Sequence, residues 1–264
     1  MMHFWTLRLQ RRSCYYALLI GTALAVFQLI MKVGEINTYD DIIFTPYTSW
    51  LSIDSTPITL VFFLVLPLLA SIPAATLFQE DSKNGLLSSL FVTLRRRTYF
   101  SHLFFTTFLT GMIVVGLPLL LNAFGFFLFL PNTPPDEMIN RNVGIYEGFA
   151  LFSSLFYSHP FVHMLLNIVL CSVFAGLYAV FSLSVSFWVK NTFLVVTGGF
   201  LLQVLLYSVN IVFFPGIDIT PLNFLPVHSL FFQVNGSLVV WVGSAMFLGA
   251  CLLYYTGARR HETM

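Results

Sequence analysis

Long apolar runs alternate with short polar breaks along the whole chain. Six stretches hold enough consecutive hydrophobic residues to approach or exceed the roughly 20 needed to cross a bilayer as helix: 15–31, 58–77, 103–130, 161–182, 193–213 and 237–255. Within each, apolar residues follow one another continuously instead of alternating, which predicts helices and not a β-barrel. The third run is long enough to tilt or to extend beyond the hydrocarbon layer. Pro67, Pro73 and Pro118 fall inside runs, where each removes a backbone donor and is expected to kink its helix.

Composition fixes the solvent. Hydrophobic residues make up 58% of the chain and charged ones 9%, against about 25% charged in a soluble domain. The mean hydropathy of +0.86 and the 30 phenylalanines point the same way. So few charges cannot cover a water-facing surface, so the chain is expected to be an all-α integral membrane protein. With no linker, repeat or composition shift, residues 1–264 form one membrane domain.

Charge sets the expected orientation. Arg8, Arg11 and Arg12 precede the first run, Lys83, Arg95, Arg96 and Arg97 follow the second, Lys190 follows the fourth, and Arg259 and Arg260 follow the sixth. These are alternate ends, all on one side. The other side holds Glu35, Asp40, Asp41, Asp54, Asp136, Glu137, Glu147 and Asp218, with only Lys32 and Arg141 opposing them. The positive-inside rule then predicts that both termini are cytoplasmic, and the plasma membrane is the expected location. The net charge of +1 conceals this split, and no basic patch with interleaved aromatics suggests nucleic acid. The basic start and Ala23-Leu-Ala25 imitate a secretory signal, but the apolar run continues to Met31, so a retained anchor is expected.

The connections carry further signals. Residues 1–14, with Phe4, Trp5, Leu7 and Leu9 among arginines, predict an interfacial helix at the cytoplasmic surface. Residues 34–57 form a polar, acidic outer loop. The segment 131–160 opens on PNTPPDE and continues with Phe149, Phe152, Leu155 and Phe156 at helical spacing, predicting a helix flat on the outer leaflet. Residues 214–235 are too apolar for a free loop and too rich in proline for a span, so they are expected to re-enter the bundle before the sixth run.

The stretch FQEDSKNGLLSSLFVTLRRRTYF, residues 78–100, stands apart. Gly85 can release the chain from the incoming helix. After it, Leu86, Leu87, Leu90, Phe91 and Leu94 recur on one face of a short helix, and arginines gather at its C-terminal end, where the helix dipole and anionic headgroups favour cations. Such a helix needs a surface to rest on, which is either the lipid interface or a groove in a cytoplasmic protein.

Six runs with cytoplasmic ends, an interfacial first helix and an acid-x-x-x-x-Gly turn before a basic–aromatic start of the third run resemble the permease subunit of type-2 ABC exporters. The matching residues are Glu80, Gly85, the apolar face of 86–94 and Arg97-Thr98-Tyr99; FAGLYAVFSLSVSFWVKN, residues 174–191, resembles the family's fourth-span end. The family often has a proline between this helix and the basic residues, where Thr93-Leu94 stand here. The resemblance implies that 79–98 is a coupling helix, with Glu80, Gly85, Leu86, Leu87, Leu90, Phe91, Leu94 and Arg97 facing a cytoplasmic ABC ATPase subunit. It also implies a second permease copy or a related permease.

No Gly-x-x-x-x-Gly-Lys-Ser/Thr loop occurs, so this chain holds no cofactor of its own and ATP and Mg would be bound by the partner ATPase. An intramembrane enzyme is the rival class. His159 and His163 are one turn apart but lack the glutamate and third ligand of a metal site, and no Gly-x-Ser-x-Gly elbow exists. A non-transporting immunity or sensor protein is the other alternative. Cys14, Cys171 and Cys251 show no metal or disulfide spacing. Among uncharged polar residues inside the runs, Gln28, Asn122, Asn167 and Gln203 either line a translocation path or bridge helices. Phe-rich, charge-free runs suit a hydrophobic or amphipathic substrate, a peptide or a lipid-like molecule.

Overall fold

The computed structural model describes residues 12–36, 44–93, 95–138, 145, 149–227 and 234–262. Among them the chain forms α1 (Arg12–Ile36), α2 (Pro46–Ser49), α3 (Pro57–Ser71), α4 (Leu77–Lys83), α5 (Leu86–Thr93), α6 (Arg96–Phe129), α7 (Ser153–Ser158), α8 (Pro160–Val185), α9 (Thr192–Phe213), α10 (Pro221–Phe224) and α11 (Gly236–Glu262). Five of these, α1, α6, α8, α9 and α11, are long and apolar enough to cross a membrane. The protein is therefore an all-α, multi-pass membrane protein by length and composition. Helix α6 has 34 residues, about 50 Å at 1.5 Å per residue, and so exceeds a hydrocarbon layer of about 30 Å, as its run predicts.

The second run departs from expectation. Its helix α3 has 15 residues and stops at Ser71. Pro73 has no N–H to give the preceding turn and its ring crowds the carbonyl four residues back, so it breaks the helix instead of kinking it. Backbone bonds still cross the break: Ile72 N–H donates to Leu68 O at 3.0 Å, Ala75 N–H to Ser71 O at 3.0 Å and Leu77 N–H to Ala74 O at 3.2 Å. Pro67 and Pro118 are absorbed within continuous helices.

Helix α8 is the axle of the bundle. Of its most apolar stretch 72% is buried, against 17% for α11. Lipid tails are as apolar as leucine, so helix association in a membrane depends on close packing and hydrogen bonds. The α6–α8 seam meets that need with small residues. A Cβ built on Gly111 would stand 2.8 Å from the Ala179 Cβ and 3.0 Å from the Ala175 carbonyl oxygen. Helix α9 is held to α3 and α8 through serines: Ser71 and Ser182 hydroxyls are 2.8 Å apart, and Gly199 N–H donates to Ser182 Oγ at 2.8 Å. The outward faces of α1, α9 and α11 remain apolar and exposed.

Residues 45–54, expected in a polar outer loop, are almost wholly buried, with Trp50 and Leu51 at 0% exposure. Helix α10 is buried beside them: Val227 N–H donates to Ser52 O at 2.9 Å. The flat helix expected over 149–156 is shorter. It covers Ser153–Ser158, and Phe152 precedes it at φ +57°, leaving Phe149 and Phe152 exposed while Phe156 is buried. Of the interfacial helix expected over 1–14, residues 1–11 lie outside the described residues, and Arg12–Cys14 form the first turn of α1.

Gly111→Leu is expected to force α6 from α8 and to cost about 1–3 kcal/mol or more. Thermal unfolding in detergent, followed by tryptophan fluorescence, should show a clearly lower midpoint. Gly249→Ala, where an added Cβ meets nothing within 4 Å, should leave it unchanged or raise it.

Candidate functional site

Two regions concentrate polar and aromatic chemistry, one at each end of the bundle. At the end carrying the arginines, α4 and α5 form a helical hairpin. Asn84 N–H returns to Glu80 O at 2.9 Å and Gly85 takes φ +68°, a left-handed conformation that a residue with a Cβ adopts at a cost. The chain thus reverses where the sequence places its glycine. Helix α5 then lies with Leu87, Leu90 and Phe91 half-buried on a cluster of Phe78, Tyr99, Phe100, Leu103, Phe187 and Tyr254.

The rings of that cluster connect elements far apart in sequence. Phe91 from α5 meets Tyr99 at 5.7 Å, edge to face, and Phe100 at 6.3 Å. Phe78 of α4 lies 4.3 Å from Phe187, just past α8, and Phe187 lies 5.1 Å from Tyr254 of α11. Edge-to-face pairs of this kind add about 0.5–1.5 kcal/mol each beyond burial. Polar contacts pin the stack: Tyr99 Oη donates to the buried Asp81 carboxylate, and Tyr254 Oη donates to Phe100 O at 2.7 Å. The stack therefore joins α5 to the ends of α6, α8 and α11.

The predicted coupling residues divide into three groups. Glu80 accepts from Thr76 Oγ1 at 2.8 Å, and Gly85 makes the reversal. Leu87, Leu90 and Phe91 face inward, whereas Leu86, at the margin of the stripe, is 43% exposed. Arg97 is exposed and lines a cleft with Tyr254, Tyr255 and Arg259; Leu94 lies outside the described residues. Sequence reasoning missed Val92, which is 86% exposed. Its signal was available: an apolar residue on the side of a short helix opposite the stripe.

The other end is polar and locked. Asn122 Nδ2 donates to Gln28 Oε1 at 2.8 Å and to Ala25 O at 2.7 Å, while its Oδ1 accepts from Leu51 N–H at 2.8 Å. Gln28 Nε2 in turn donates to Asp54 Oδ2 at 2.8 Å and to Ser49 O at 3.1 Å. Lys32 Nζ completes the group, 3.2 Å from Asp54 Oδ1. Asn167 accepts from Ser52 Oγ at 2.8 Å and donates to Leu225 O at 3.2 Å. Gln203 Nε2 reaches Phe63 O at 3.2 Å. All four amide residues proposed for a path or a bridge are buried; Gln28, Asn122 and Asn167 tie 45–54 and Leu225 into the bundle, and Gln203 ties α9 to α3. The Lys32–Asp54 pair was missed, although Lys32 stands one helical turn beyond Gln28 on the same face of α1.

His163 is buried with Nε2 3.0 Å from Leu151 O, whereas His159 is exposed, so the two do not converge. Among the described residues no group of three or more His, Cys, Asp or Glu could hold a metal.

Two substitutions should separate satisfied from unsatisfied amides. Asn122→Leu strands the Leu51 N–H and the Gln28 carbonyl, so stability should fall by about 1–3 kcal/mol. Gln203→Leu should cost less, since it strands the Phe63 carbonyl but also removes a buried Oε1 that has no partner among the described residues. Thermal midpoints of both variants in detergent check this ordering. No family model, curated protein or solved structure matches the chain.

Proposed function

We propose that this chain is the membrane subunit of an ATP-binding cassette exporter, driven by a separate cytoplasmic ATPase. The observation that carries the reading is the α4–α5 hairpin, seated on an aromatic stack that joins α4, α6, α11 and the turn after α8. A motor element must present an outer face to its engine and be fixed by its inner face to whatever moves. Here Leu86 and Val92 point outward, and Leu87, Leu90 and Phe91 grip the bundle.

The six crossings are α1, the segment 57–83, α6, α8, α9 and α11. In the second, α3 and α4 act as one crossing through the hydrogen-bonded break at Pro73. The basic end, which carries Arg12, Lys83, Arg95, Arg97, Lys190, Arg259 and Arg260, is the cytoplasmic one by the positive-inside rule, so both termini are cytoplasmic in the plasma membrane. With 45–54 and α10 bolted to the bundle by the Asn122 and Asn167 bridges, α10 and its flanks form the re-entrant outer segment.

Closure of a paired ATPase pushes on the outer face of α5. Phe91 passes that push to Tyr99 and Phe100, and Phe187 and Tyr254 pass it to α8 and α11. The bundle rocks as a body. Because Gln28, Asn122, Asn167 and Gln203 are bridged within one chain, the path for a hydrophobic peptide or lipid-like substrate runs between two permease copies, along exposed apolar faces.

The tagged chain purified from its native membranes should carry ATPase activity. Leu86→Asp with Val92→Asp should abolish that activity while the amount and thermal midpoint of inserted protein stay near wild type. Leu87→Asp should lower the midpoint itself, because its side chain packs on the stack. Equal ATPase recovery from the Leu86/Val92 variant, or none from the unaltered chain, refutes the proposal.

A further inference from the structure

A cleft of about 650 Å³ opens at the basic end between α4, the turn that follows α8 and the last turns of α11. Three cations line it, each from a different element: Lys83 from α4, Lys190 from the turn and Arg260 from α11. Among the described residues that line it, none is a carboxylate. Its inner wall is aromatic, made by Phe78 and Phe187, both buried. At its rim Trp188 is 48% exposed, with the Arg260 guanidinium 5.5 Å above its ring.

The cleft is built, not incidental. Gln79 Nε2 donates to Val189 O, and Gln79 Oε1 accepts from Thr192 Oγ1 at 3.3 Å. This pair of bonds fixes α4 against the 186–191 turn and the first residue of α9, and so sets the spacing between Lys83 and Lys190. Lysines attract phosphate as point charges, and an arginine adds a planar fork that can bind two of its oxygens. A half-exposed tryptophan at the end of a membrane-spanning helix marks headgroup depth. Cations, an aromatic floor and an interfacial tryptophan therefore stand together where a lipid phosphate sits.

We infer that this cleft is a binding site for an anionic phospholipid, with the headgroup phosphate held by Lys83, Lys190 and Arg260 and the glycerol end against Phe78, Phe187 and Trp188. The apolar wall selects a lipid-borne phosphate over a free one. The site is independent of the proposed export function, since it needs no ATPase. It does share Phe78 with the aromatic stack, so a bound lipid braces the hairpin that α4 and α5 form.

The test uses the full chain in an uncharged detergent, measuring thermal stabilisation on titration with phosphatidylglycerol, phosphatidylcholine or inorganic phosphate. Phosphatidylglycerol should stabilise the protein at concentrations where the other two do nothing. Lys190→Gln with Arg260→Gln should weaken that apparent affinity by about tenfold or more. Arg12→Gln with Arg95→Gln removes equal charge from the same end outside the cleft and should leave it unchanged. Lys190→Arg with Arg260→Lys, which keeps the charge, should retain most of it.

Equal loss in both glutamine pairs would reduce the effect to bulk charge and overturn the site. Stabilisation by inorganic phosphate alone would overturn the lipid assignment. So would loss of co-purifying ATPase activity from Lys190→Gln/Arg260→Gln with phosphatidylglycerol binding intact, since the cleft would then be a protein contact.

Discussion

The close contact between α6 and α8 is the constraint on which the other packing depends. In lipid there is no hydrophobic gain from pressing two apolar helices together, so proximity must come from shape. Gly111 lets α6 lie against the backbone of α8 at Ala175, Gly176 and Ala179. Once these two helices meet, α8 has faces left for α3, α9 and α11, and it becomes the buried axle. The serine contacts of Ser71, Ser182 and Gly199 repeat the same logic on the opposite face, adding hydrogen bonds that hydrocarbon cannot offer.

The two ends of this bundle are held by different chemistry, which fits a division of labour. At the acidic end, amides and one ion pair pin residues 45–54 and 225–227 with directional bonds; breaking any one leaves a buried partner unsatisfied. At the basic end, aromatic rings pack edge to face or tilted against one another, and hydrogen bonds such as Tyr254 to Phe100 fix their register. The cleft proposed for a lipid lies at this basic end, where it shares Phe78 with the aromatic stack under the hairpin.

Several features were legible in the chain itself. Five of six apolar runs became helices long enough to cross a membrane, because continuous hydrophobicity over that length has few other solutions in lipid. Gly85 marked the reversal before α5, since its lack of a Cβ makes the left-handed turn cheap. The proline-broken stretch before the last helix is buried around α10, as an apolar segment that cannot be helical throughout must be.

Other features were set by neighbours. Pro73 and Pro67 look alike in sequence, yet one ends a helix and the other sits inside it, where the Phe63 carbonyl that Pro67 cannot serve accepts from Gln203 Nε2 at 3.2 Å. The acidic loop 45–54 reads as solvent-facing until Asn122, Gln28 and Lys32 supply its backbone and Asp54 with partners from other helices. The stripe after Gly85 gave a helix, but not which part of it faces inward: that was decided by Phe78, Tyr99, Phe100 and Tyr254 arriving from three other segments. Local sequence determined which residues must leave water and where the chain can turn. Tertiary structure alone decided which polar groups found one another, because bonds such as Lys32 to Asp54 and Tyr254 to Phe100 join residues 22 and 154 positions apart.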